Sequence, residues 1–439
     1  MQERIIQFGE GNFLRGFAED FIDTLHRQEL YDGSVVIVKP TPRGSLDAFA
    51  AQNNRYHLVL RGLEQGQPIE RVKTIRCISR CINPYNSFSD YIALAQEPAL
   101  RFIISNTTEA GIVYDAGCQF SDRPARSFPA KLTQLLYARY RAGLNGFILL
   151  PCELIEQNGD ALKQCVLQHA AAWRLGEAFA DWVNTANHFC NTLVDRIVTG
   201  YPTEEAAALC RQIGYEDRLL DAAEPYHLWA IEGNYEAELP LQQAGLNVLW
   251  TDNLQPLKAR KVRLLNGAHT AIVFPALLLG ITTVGGCLQD DDMHRFLTHY
   301  LYQCAVPALG DTAENNAFAD AVMERFANPY IRHQLRAIAL NSVSKFSVRV
   351  LPTAQDYQAA FGHYPRAAAL SLAALLYYYK TEQPQDDAQL IDKLRHNSVD
   401  EIINSGLFGT VSGMGKAVHT AFDAVSQGRC REATQWAVS

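Results

Sequence analysis

The apolar positions of the first forty residues follow the order strand, turn, helix, strand. Residues 4–8 form a short apolar run, and residues 9–16, GEGNFLRG, follow it as a glycine-containing turn. The apolar spacing in residues 17–25 predicts an amphipathic helix, and residues 35–38, VVIV, predict a second strand. This succession predicts the first βαβ unit of a nucleotide-binding sheet.

Strands and helices continue to alternate through the first half of the chain, which predicts a doubly wound α/β sheet. After residue 155 the pattern becomes mostly helical, so we predict two domains, residues 1–253 and 254–439, with the boundary near residues 252–255. The predicted strands are residues 56–60, 70–78, 101–104, 146–150 and 246–250. The predicted helices are residues 87–95, 131–140, a helix opened by Asn158, and residues 262–279, 291–304, 315–326, 331–340 and 367–379.

Composition is consistent with this two-domain prediction. A chain of 439 residues is too long for one compact core. Its 48% apolar and 20% charged residues are typical of a soluble globular protein. The net charge of −8 argues against nucleic acid as the main partner, although a local site can still attract an anion.

Membrane, export and metal-binding patterns are not found in the sequence. No stretch of about 18 apolar residues predicts a membrane span, and the N-terminus does not resemble a signal peptide. Ten cysteines are scattered without a CxxC pair or a spacing typical of zinc sites. We therefore expect free thiols in a reducing cytoplasm and no metal.

The glycine-containing turn carries the first candidate chemistry. Gly9 permits a tight turn, and Gly11 lets the backbone approach a pyrophosphate, which the amides at the following helix N-terminus hold. Leu14 replaces the third glycine of the usual fingerprint, and Gly16 follows two places later. Arg15 either adds a charge-assisted bond to a phosphate or is a solvated helix residue.

The end of the second strand bears on the choice of cofactor. NAD enzymes usually place an acidic residue there to bind the ribose hydroxyls. This chain has Lys39 and Arg43 instead, and two cations suit a 2′-phosphate, so these residues alone favour NADP. Small and polar residues at 105–111 follow another buried strand, where an open parallel sheet keeps its ligand.

Residues 261–269, KVRLLNGAH, carry the second candidate chemistry. Lys261, Asn266 and His269 fall within about two helical turns, on one broad side of a helix. A cation that can give up a proton, a neutral donor and an orienting group suit the reduction of a carbonyl. The alternative is the start of an amphipathic helix with an ordinary basic patch.

Taken together, the motifs resemble the mannitol dehydrogenase family of polyol-specific long-chain dehydrogenases, and among these its uronate branch. The resemblance implies a Rossmann-like N-terminal domain, a helical C-terminal domain, an active site between them, NAD(H) as cofactor and no metal. NAD is preferred to NADP, which stays open, because a cation at residue 39 can also contact the adenosine ribose. The resemblance rests on the stretches IIQFGEGNFLRGF (5–17), SNTTEAGI (105–112), PCELIEQNGDAL (151–162), TLVDRIVTGYP (192–202), KVRLLNGAHTA (261–271), RFANPYIRHQL (325–335) and KFSVRVLP (345–352).

The resemblance also implies roles for single residues. Lys261 takes the position of the family's general acid/base, Asn191 and Asn266 those of the amides that hold the developing alkoxide, and His269 orients substrate hydroxyls. The cationic neighbours Arg260 and Arg263 are expected to lower the pKa of the Lys261 amine toward neutral pH, where it can exchange a proton. The cofactor-binding residues are expected to be Phe8, Gly9, Gly11, Asn12, Phe13, Arg15, Lys39, Thr107, Glu109 and Asn158.

Two departures from the polyol enzymes of the family suggest an anionic substrate. Gly233 stands where the polyol enzymes carry an aspartate, and Lys345 stands where they carry an arginine, with Arg349 four residues later. A carboxylate would be repelled by the aspartate and attracted by the two cations. We therefore expect Lys345 and Arg349 to bind a substrate carboxylate, the alternative being two surface charges.

The expected activity is the NAD-dependent, reversible reduction of the keto-uronate tagaturonate to altronate in hexuronate catabolism. Reduction of fructuronate to mannonate, or a mannitol-type polyol reaction, is the alternative within the same enzyme class. A nucleotide-binding sensor without turnover is the alternative outside it. The sequence does not predict an oligomeric state.

Overall fold

Two units make up the chain in the computed structural model, which describes residues 1–108, 110–409 and 412–439. The first unit contains residues 1–61 and 69–254, and the second contains residues 62–68 and 255–439. The first unit combines sheets and helices, whereas helices predominate in the second. This confirms the predicted fold class.

A six-stranded parallel sheet forms the centre of the first unit. Its strand order is β5-β2-β1-β6-β7-β8, and each neighbouring pair is parallel. These strands are β1 (Gln2–Phe8), β2 (Gly33–Val38), β5 (Ile78–Ile82), β6 (Phe102–Ser105), β7 (Ile148–Pro151) and β8 (His188–Phe189). Two small sheets accompany it, in the orders β10-β3-β4 and β12-β11-β9, from β3 (Tyr56–Glu64), β4 (Gln67–Ile75), β9 (Thr192–Asp195), β10 (Asp221–Ala223), β11 (Leu228–Glu232) and β12 (Val248–Thr251).

The order of the large sheet is that of dinucleotide-binding doubly wound folds. Counted along the sheet, its strands run 3-2-1-4-5-6, so the order reverses between β1 and β6. Loops that leave β1 and β6 at their carboxyl ends diverge there and form a crevice. The fold therefore places residues 9–16 and 106–108 at the edge of the sheet where such a fold binds its ligand.

Both faces of the large sheet are buried, which explains the continuous apolar runs of its strands. Ile5 of β1 packs in the core on one face, and the next residue, Ile6, packs in the core on the other. Phe17, Phe21 and Leu25 cover the first face, as their spacing predicts. The helices of this unit are α1 (Asn12–Arg15), α2 (Ala18–Arg27), α3 (Asp47–Ala51), α4 (Phe88–Ala93), α5 (Phe128–Arg141), α6 (Asn158–Ala172), α7 (Glu177–Ala186) and α8 (Ala206–Ile213).

Two sequence-based expectations for the first unit are wrong in detail. The predicted strand over residues 70–78 is divided between β4 and β5, and the stretch from 155 to 245, expected to be mostly helical, also contains β8, β9, β10 and β11. Each of these four strands has two to five residues. Such short strands show too few positions for an alternating pattern to be recognised.

The second unit is built almost entirely from helices. The helix predicted over residues 331–340 is reduced to Leu335–Ile338, whereas the other predicted helices are present. Its α-helices are α9 (Gln255–Arg260), α10 (Gly267–Leu278), α11 (Val284–Gln289), α12 (Asp291–His299), α13 (Val306–Leu309), α14 (Ala313–Phe326), α15 (Leu335–Ile338), α16 (Ser342–Arg349), α17 (Leu351–Phe361), α18 (Arg366–Thr381), α19 (Ala388–His396), α20 (Val399–Asn404), α21 (Gly415–Ser426) and α22 (Cys430–Ala437). Among the described residues, no helix has the length and apolar character needed to cross a membrane.

Two π-helical turns interrupt the helices of the second unit. Lys261–Asn266 separates α9 from α10, and Tyr300–Ala305 separates α12 from α13. A π-turn bonds each amide to the carbonyl five residues earlier, is rare, and is often found at functional sites. The first of these turns contains two of the three residues predicted to act on a carbonyl.

Candidate functional site

Gly9 makes the tight turn after β1 that its sequence position predicts. Its φ of +122° lies in a region that L side chains rarely adopt. A Cβ atom at this position would also lie 2.8 Å from the backbone oxygen of Asn106. Both the conformation and the space therefore require glycine, and the turn brings the loops after β1 and β6 together.

Gly11 and Gly16 meet the two remaining requirements of the fingerprint, which are space for a ligand and close packing. A Cβ atom at Gly11 would meet no atom within 4 Å, so the backbone here faces open space into which a ligand can approach. At Gly16 a Cβ atom would lie 2.8 Å from the Val198 side chain. Gly16 thus allows close packing, the role of the third fingerprint glycine that Leu14 cannot play.

Three further residues of the turn were predicted to contact the cofactor. Phe8 is fully buried and packs its ring 4.9 Å from that of Phe128, so its side chain belongs to the core. Phe13 is half-buried and stacks on Phe17, with ring centres 4.9 Å apart. Asn12 is exposed and accepts a hydrogen bond from Arg15. These contacts leave Asn12 as the most accessible side chain of the three.

Arg15 is buried rather than solvated. Its guanidinium donates to the Leu219 carbonyl and to Asn12, and it lies 5.4 Å from the centre of the Tyr56 ring. The Nε atom has no hydrogen-bond partner within the described chain. The sequence alternative of a solvated helix residue is therefore wrong, and the contact of Arg15 with a phosphate stays a prediction.

Lys39 is also fully buried, at the end of β2. Its ammonium donates to the backbone carbonyl of Thr41 at 2.7 Å and to that of Arg43. The cation thus holds the loop that follows the strand. Two of its three donors are used in this way, which weakens the sequence argument that Lys39 binds a 2′-phosphate.

A cavity of about 570 Å³ opens at the carboxyl ends of β2 and β6. Pro40 and Thr41 line it on the side of β2, and Thr107, Thr108 and Gly111 on the side of β6. Its position and size suit the adenosine part of a dinucleotide. Glu109, which was also predicted to bind the cofactor, lies outside the described residues.

Glu153 connects the loops that follow β6 and β7. Its carboxylate accepts hydrogen bonds from the hydroxyl of Ser105 at 3.0 Å and from the amide and hydroxyl of Thr107 at 3.0 and 2.9 Å. Burial raises the pKa of this carboxyl, and the hydrogen bonds partly oppose the rise. Sequence reasoning did not predict this bracing role, which fixes the predicted cofactor residue Thr107.

Asn158 uses its whole carboxamide within the first unit. The Nδ2 atom donates to the carbonyls of Pro151 at 2.9 Å and Glu153 at 3.1 Å, and Oδ1 accepts from the Thr192 amide at 2.8 Å. The side chain is buried and ties the end of β7 to β9. Its predicted contact with the cofactor stays a prediction, and any such contact would have to replace one of these bonds.

Asn191 lies in the first unit between two carboxylates. Its Nδ2 atom donates to Asp160 at 2.9 Å and to Glu232 at 2.8 Å, and its Oδ1 accepts from the Asp160 amide. The side chain is buried and held in one orientation. To hold a developing alkoxide, as predicted, it would have to exchange one carboxylate for the substrate oxygen.

Lys261 and Asn266 are the first and last residues of the first π-turn. In an α-helix, residues five apart point about 140° away from each other. A π-turn brings residues five apart nearly into line, because its hydrogen bonds span five residues. The structure therefore places these two half-buried side chains on one face of the helix, and His269 follows one α-turn later.

His269 is packed between aromatic and cationic groups of the second unit. Its ring centre lies 4.2 Å from that of Phe326 and 4.9 Å from that of His333. Burial lowers its pKa well below the ordinary range, and the charges of His333, Arg325 and Arg349 lower it further. The imidazole is therefore neutral at pH 7, with one donor and one acceptor nitrogen.

Lys345 and Arg349 lie one turn apart on α16, beside α10. Arg349 donates to the Thr270 hydroxyl at 3.4 Å, and Lys345 donates to the Ile338 carbonyl at 2.9 Å. Burial lowers the pKa of both groups, and for Lys345 the charge of Arg349 adds to the effect. Within the described chain no carboxylate pairs with Arg349, so the fold brings Arg349 near His269 without supplying it an anion.

Sequence reasoning missed His333, Phe326 and Arg325, which surround His269. All three belong to the stretch 325–335 that carried part of the family resemblance, and this was the only available signal. The expected influence of Arg263 on Lys261 is also reduced, because Arg263 pairs with Asp356 at 2.8 Å. Among the described residues, no group of three or more His, Cys, Asp or Glu side chains is arranged to hold a metal ion.

Comparison with protein families accounts for both units. The family model for the mannitol dehydrogenase Rossmann domain matches residues 3–243, and that for the mannitol dehydrogenase C-terminal domain matches residues 253–406. The chain belongs to the mannitol dehydrogenase family. The match to this family confirms the resemblance inferred from the motifs.

Within the mannitol dehydrogenase family, the chain is similar to several proteins named altronate oxidoreductase. That of Yersinia pestis is 45% identical over 89% of this chain and 84% of its own length. That of Yersinia enterocolitica is 43% identical over 93% and 89%, and that of Escherichia coli O1:K1 is 44% identical over 89% and 84%. The likeness therefore extends over most of each protein.

Solved structures of the mannitol dehydrogenase family share the fold. Pseudomonas fluorescens mannitol 2-dehydrogenase, solved as a ternary complex with NAD and D-mannitol, matches with a TM-score of 0.74 and 21% identity over 99% of this chain and 94% of that one. A substrate-free D-sorbitol dehydrogenase matches with a TM-score of 0.86 and 20% identity, over 99% and 95%. Such low identities support the fold assignment alone.

Proposed function

We propose that the protein is an oxidoreductase that interconverts tagaturonate and altronate with NAD(H), in hexuronate catabolism. Relatives that are 43–45% identical, over 84–89% of their own length, carry the name altronate oxidoreductase. The nicotinamide class of cofactor is supported by the match to the mannitol dehydrogenase Rossmann domain. The observation in the structure that carries the proposal is the uncompensated cation beside His269.

That cation is Arg349, which is half-buried and has no carboxylate partner in the described chain. A buried cation without a counter-ion is unfavourable, and a bound carboxylate would relieve it. Lys345 lies one helical turn away on α16 and strengthens the local positive potential. A neutral polyol would leave these charges unbalanced, so the geometry favours a sugar acid over mannitol or sorbitol.

NAD is proposed in preference to NADP because of Lys39. The ammonium group of Lys39 donates hydrogen bonds to the loop after β2. A 2′-phosphate would therefore have to compete with the carbonyls of Thr41 and Arg43 for this group. The turn at Gly11 has open space for a pyrophosphate, and the cavity between the ends of β2 and β6 has room for adenosine. When bound, the nicotinamide supplies the hydride to the ketone carbon.

The second unit supplies the groups that handle the ketone oxygen. Asn266 donates a hydrogen bond as negative charge develops there, and Lys261 delivers the proton that completes the alcohol. Both act from one face of the π-turn. Neutral His269 binds a neighbouring hydroxyl through its free ring nitrogen, since its lowered pKa keeps it uncharged. Asn191 of the first unit is proposed as a second amide donor.

A reducing cytoplasm is the proposed location. All ten cysteines are free thiols, and Cys81, Cys210 and Cys430 are partly accessible. Partly exposed thiols persist in a reducing compartment and are oxidised elsewhere.

Nicotinamide absorbance in the presence of candidate substrates tests the proposal. Tagaturonate, fructuronate and fructose are each supplied with NADH and with NADPH, and altronate with NAD in reverse. We expect tagaturonate with NADH to give the highest kcat/KM, by about tenfold or more over each alternative. A higher value with fructuronate or fructose would replace the proposed substrate, and a higher value with NADPH would replace the proposed cofactor.

A further inference from the structure

Gly267 is the residue that closes the π-turn carrying Lys261 and Asn266. Its amide donates to the carbonyls of Leu264 and Val262, and the bond to Val262, five residues earlier, defines the π register. Its backbone angles, φ −63° and ψ −47°, are those of an ordinary helix that any residue adopts. Glycine in a helix costs about 1 kcal/mol relative to alanine, so something other than conformation must require it.

The requirement is space for Tyr300. A Cβ atom at Gly267 would lie 2.9 Å from the Tyr300 hydroxyl oxygen and 3.3 Å from the carbonyl oxygen of Arg349. Tyr300 is the first residue of the other π-turn, and the two turns lie side by side. The tyrosine is thus seated on the backbone at the point where the turn with Lys261 and Asn266 closes.

Hydrogen bonding does not account for the hydroxyl group of Tyr300. The side chain is fully buried, and within the described chain its oxygen makes no hydrogen bond of standard geometry and has only a weak interaction with Thr353. A buried hydroxyl without a partner costs about 1–3 kcal/mol, which phenylalanine would avoid. Two features that each cost stability, the helical glycine at 267 and the unsatisfied hydroxyl of Tyr300, are therefore in contact with each other.

We propose that Tyr300 is a positioning residue, which holds the helix in the π register that aligns Lys261 with Asn266. The hydroxyl fills the space beside Gly267, so the turn has no room to relax into the α register. In that register the amide of residue 267 would bond to Arg263, and Lys261 and Asn266 would point about 140° apart. This inference rests on the proposed roles of Lys261 and Asn266 in catalysis.

Two single variants and their combination test the contact by kinetics. In Gly267→Ala the methyl group collides with the hydroxyl, and we expect kcat to fall about 10- to 100-fold with KM changed less than about twofold. Tyr300→Phe leaves a gap, and we expect kcat to fall about 3- to 10-fold, with Tm unchanged or higher because an unsatisfied hydroxyl is gone. In the double variant the methyl group fills the gap, and kcat should recover at least about fivefold over Gly267→Ala.

Gly415→Ala is the matched control, because its Cβ atom would lie 4.0 Å from its nearest neighbour, the Ile403 side chain. We expect parental kcat for this variant and a Tm that is unchanged or slightly higher, because alanine favours a helix over glycine. Parental kcat in both Gly267→Ala and Tyr300→Phe would overturn the proposal. A double variant no faster than Gly267→Ala would overturn it as well, because a merely structural defect would not be rescued.

A crystal structure of Gly267→Ala provides a readout that does not depend on the substrate. We expect the amide of residue 267 to bond to the Arg263 carbonyl, and retention of the Val262 bond would overturn the proposal. If the parent protein turned over no sugar acid, the proposed function would fail, whereas the register in this structure would still decide the role of Tyr300.

Discussion

Arg349 illustrates how a single side chain acquires meaning from its surroundings. On an exposed helix it would be an ordinary surface charge. Here it is half-buried, donates among the described residues only to the Thr270 hydroxyl, and contributes to the lowered pKa of His269. An arginine in such a place binds a planar anion well, because its guanidinium offers paired donors.

Replacement of the two α16 cations is expected to affect substrate binding. In Lys345→Met and in Arg349→Met we expect KM for the keto-uronate to rise about tenfold or more, with KM for NADH unchanged, because a charge-assisted bond is lost. Steady-state kinetics with each substrate varied in turn measures this. Lys416→Met, an exposed lysine of α21, is the control. An unchanged KM in both variants would remove the assignment.

Replacement of Lys261 is expected to affect the chemical step. Lys261→Ala should lower kcat by about two to four orders of magnitude, because no group replaces its proton. Added methylamine should restore part of the rate, since a free amine can supply the missing proton. Lys258→Ala, three residues earlier, serves as the control. A Lys261→Ala variant within about threefold of the parent would show that another group handles the proton.

At the scale of elements, the turn after β1 shows how neighbouring glycines serve different needs. Gly9 is required by a positive φ and by the nearby Asn106 carbonyl, so it belongs to the fold. Gly11 has an ordinary conformation and open space beside it, so nothing in the fold requires it. The sequence motif predicted the turn for Gly9 and the pyrophosphate contact for Gly11, and the geometry adds that the fold itself requires glycine at residue 9.

This difference predicts opposite effects of two alanine substitutions. Gly9→Ala should lower the free energy of unfolding by about 1–3 kcal/mol, because it imposes strain and a clash. Gly11→Ala should leave it nearly unchanged but weaken NADH binding about tenfold, because the methyl group meets the pyrophosphate. Urea unfolding and fluorescence titration measure the two effects. Equal affinity for NADH in Gly11→Ala and the parent would contradict the assignment of the phosphate site.

The π-turn is the element that the sequence described least well. If residues 261–269 formed an α-helix, the side chains of Lys261 and Asn266 would point about 140° apart, at the two edges of one broad face. Hydrophobic periodicity does not reveal a π-turn, because one such turn shifts the pattern by a single residue. Tyr300 and the backbone of Arg349, both distant in the chain, lie close to Gly267 at the end of this turn.

For the whole molecule, charge is distributed unevenly. The net charge of −8 would repel an anionic substrate, yet the second unit places Arg325 and Arg349 near His269. The first unit keeps a neutral histidine in its interior. There His227 packs on the Phe21 ring at 4.9 Å and accepts the Asn247 amide through Nε2 at 3.0 Å. Both arrangements keep an imidazole uncharged at neutral pH.

Acid is therefore expected to destabilise the protein through His227. Burial, together with the charge of Arg196, lowers its pKa to about 4, whereas the unfolded chain titrates near 6.5. As pH falls between these values, only the unfolded chain takes up the proton, so stability is lost. The contribution of His227 to this loss should be about 2 kcal/mol between pH 7 and 5.

Urea unfolding of the parent and of His227→Gln at pH 7 and pH 5 measures this contribution. The variant should be less stable at pH 7 but should lose less stability on acidification. The exposed His396 provides the control in His396→Gln, which should behave as the parent does. An equal acid-induced loss in parent and His227→Gln would show that this histidine titrates normally in the folded protein.

The sequence by itself determined the order of the main strands and helices, the family and the candidate residues. These follow from local signals, namely apolar spacing, turn glycines and motifs that lie within a few residues of one another. Very short strands such as His188–Phe189 escaped this reasoning, because too few positions alternate. The assignment of Lys261, Asn266 and His269 to one helix also needed no tertiary information.

Only the tertiary structure decided which of these residues are committed to the fold and which remain available. It showed that Lys39 and Asn158 donate their hydrogen bonds to backbone carbonyls, and that Arg349 has no carboxylate partner in the part of the chain that the structure describes. It also revealed the π register of residues 261–266 and placed Tyr300 against Gly267. The physical reason is common to all of these, since a polar group's free donors and a helix's register depend on residues distant in the chain.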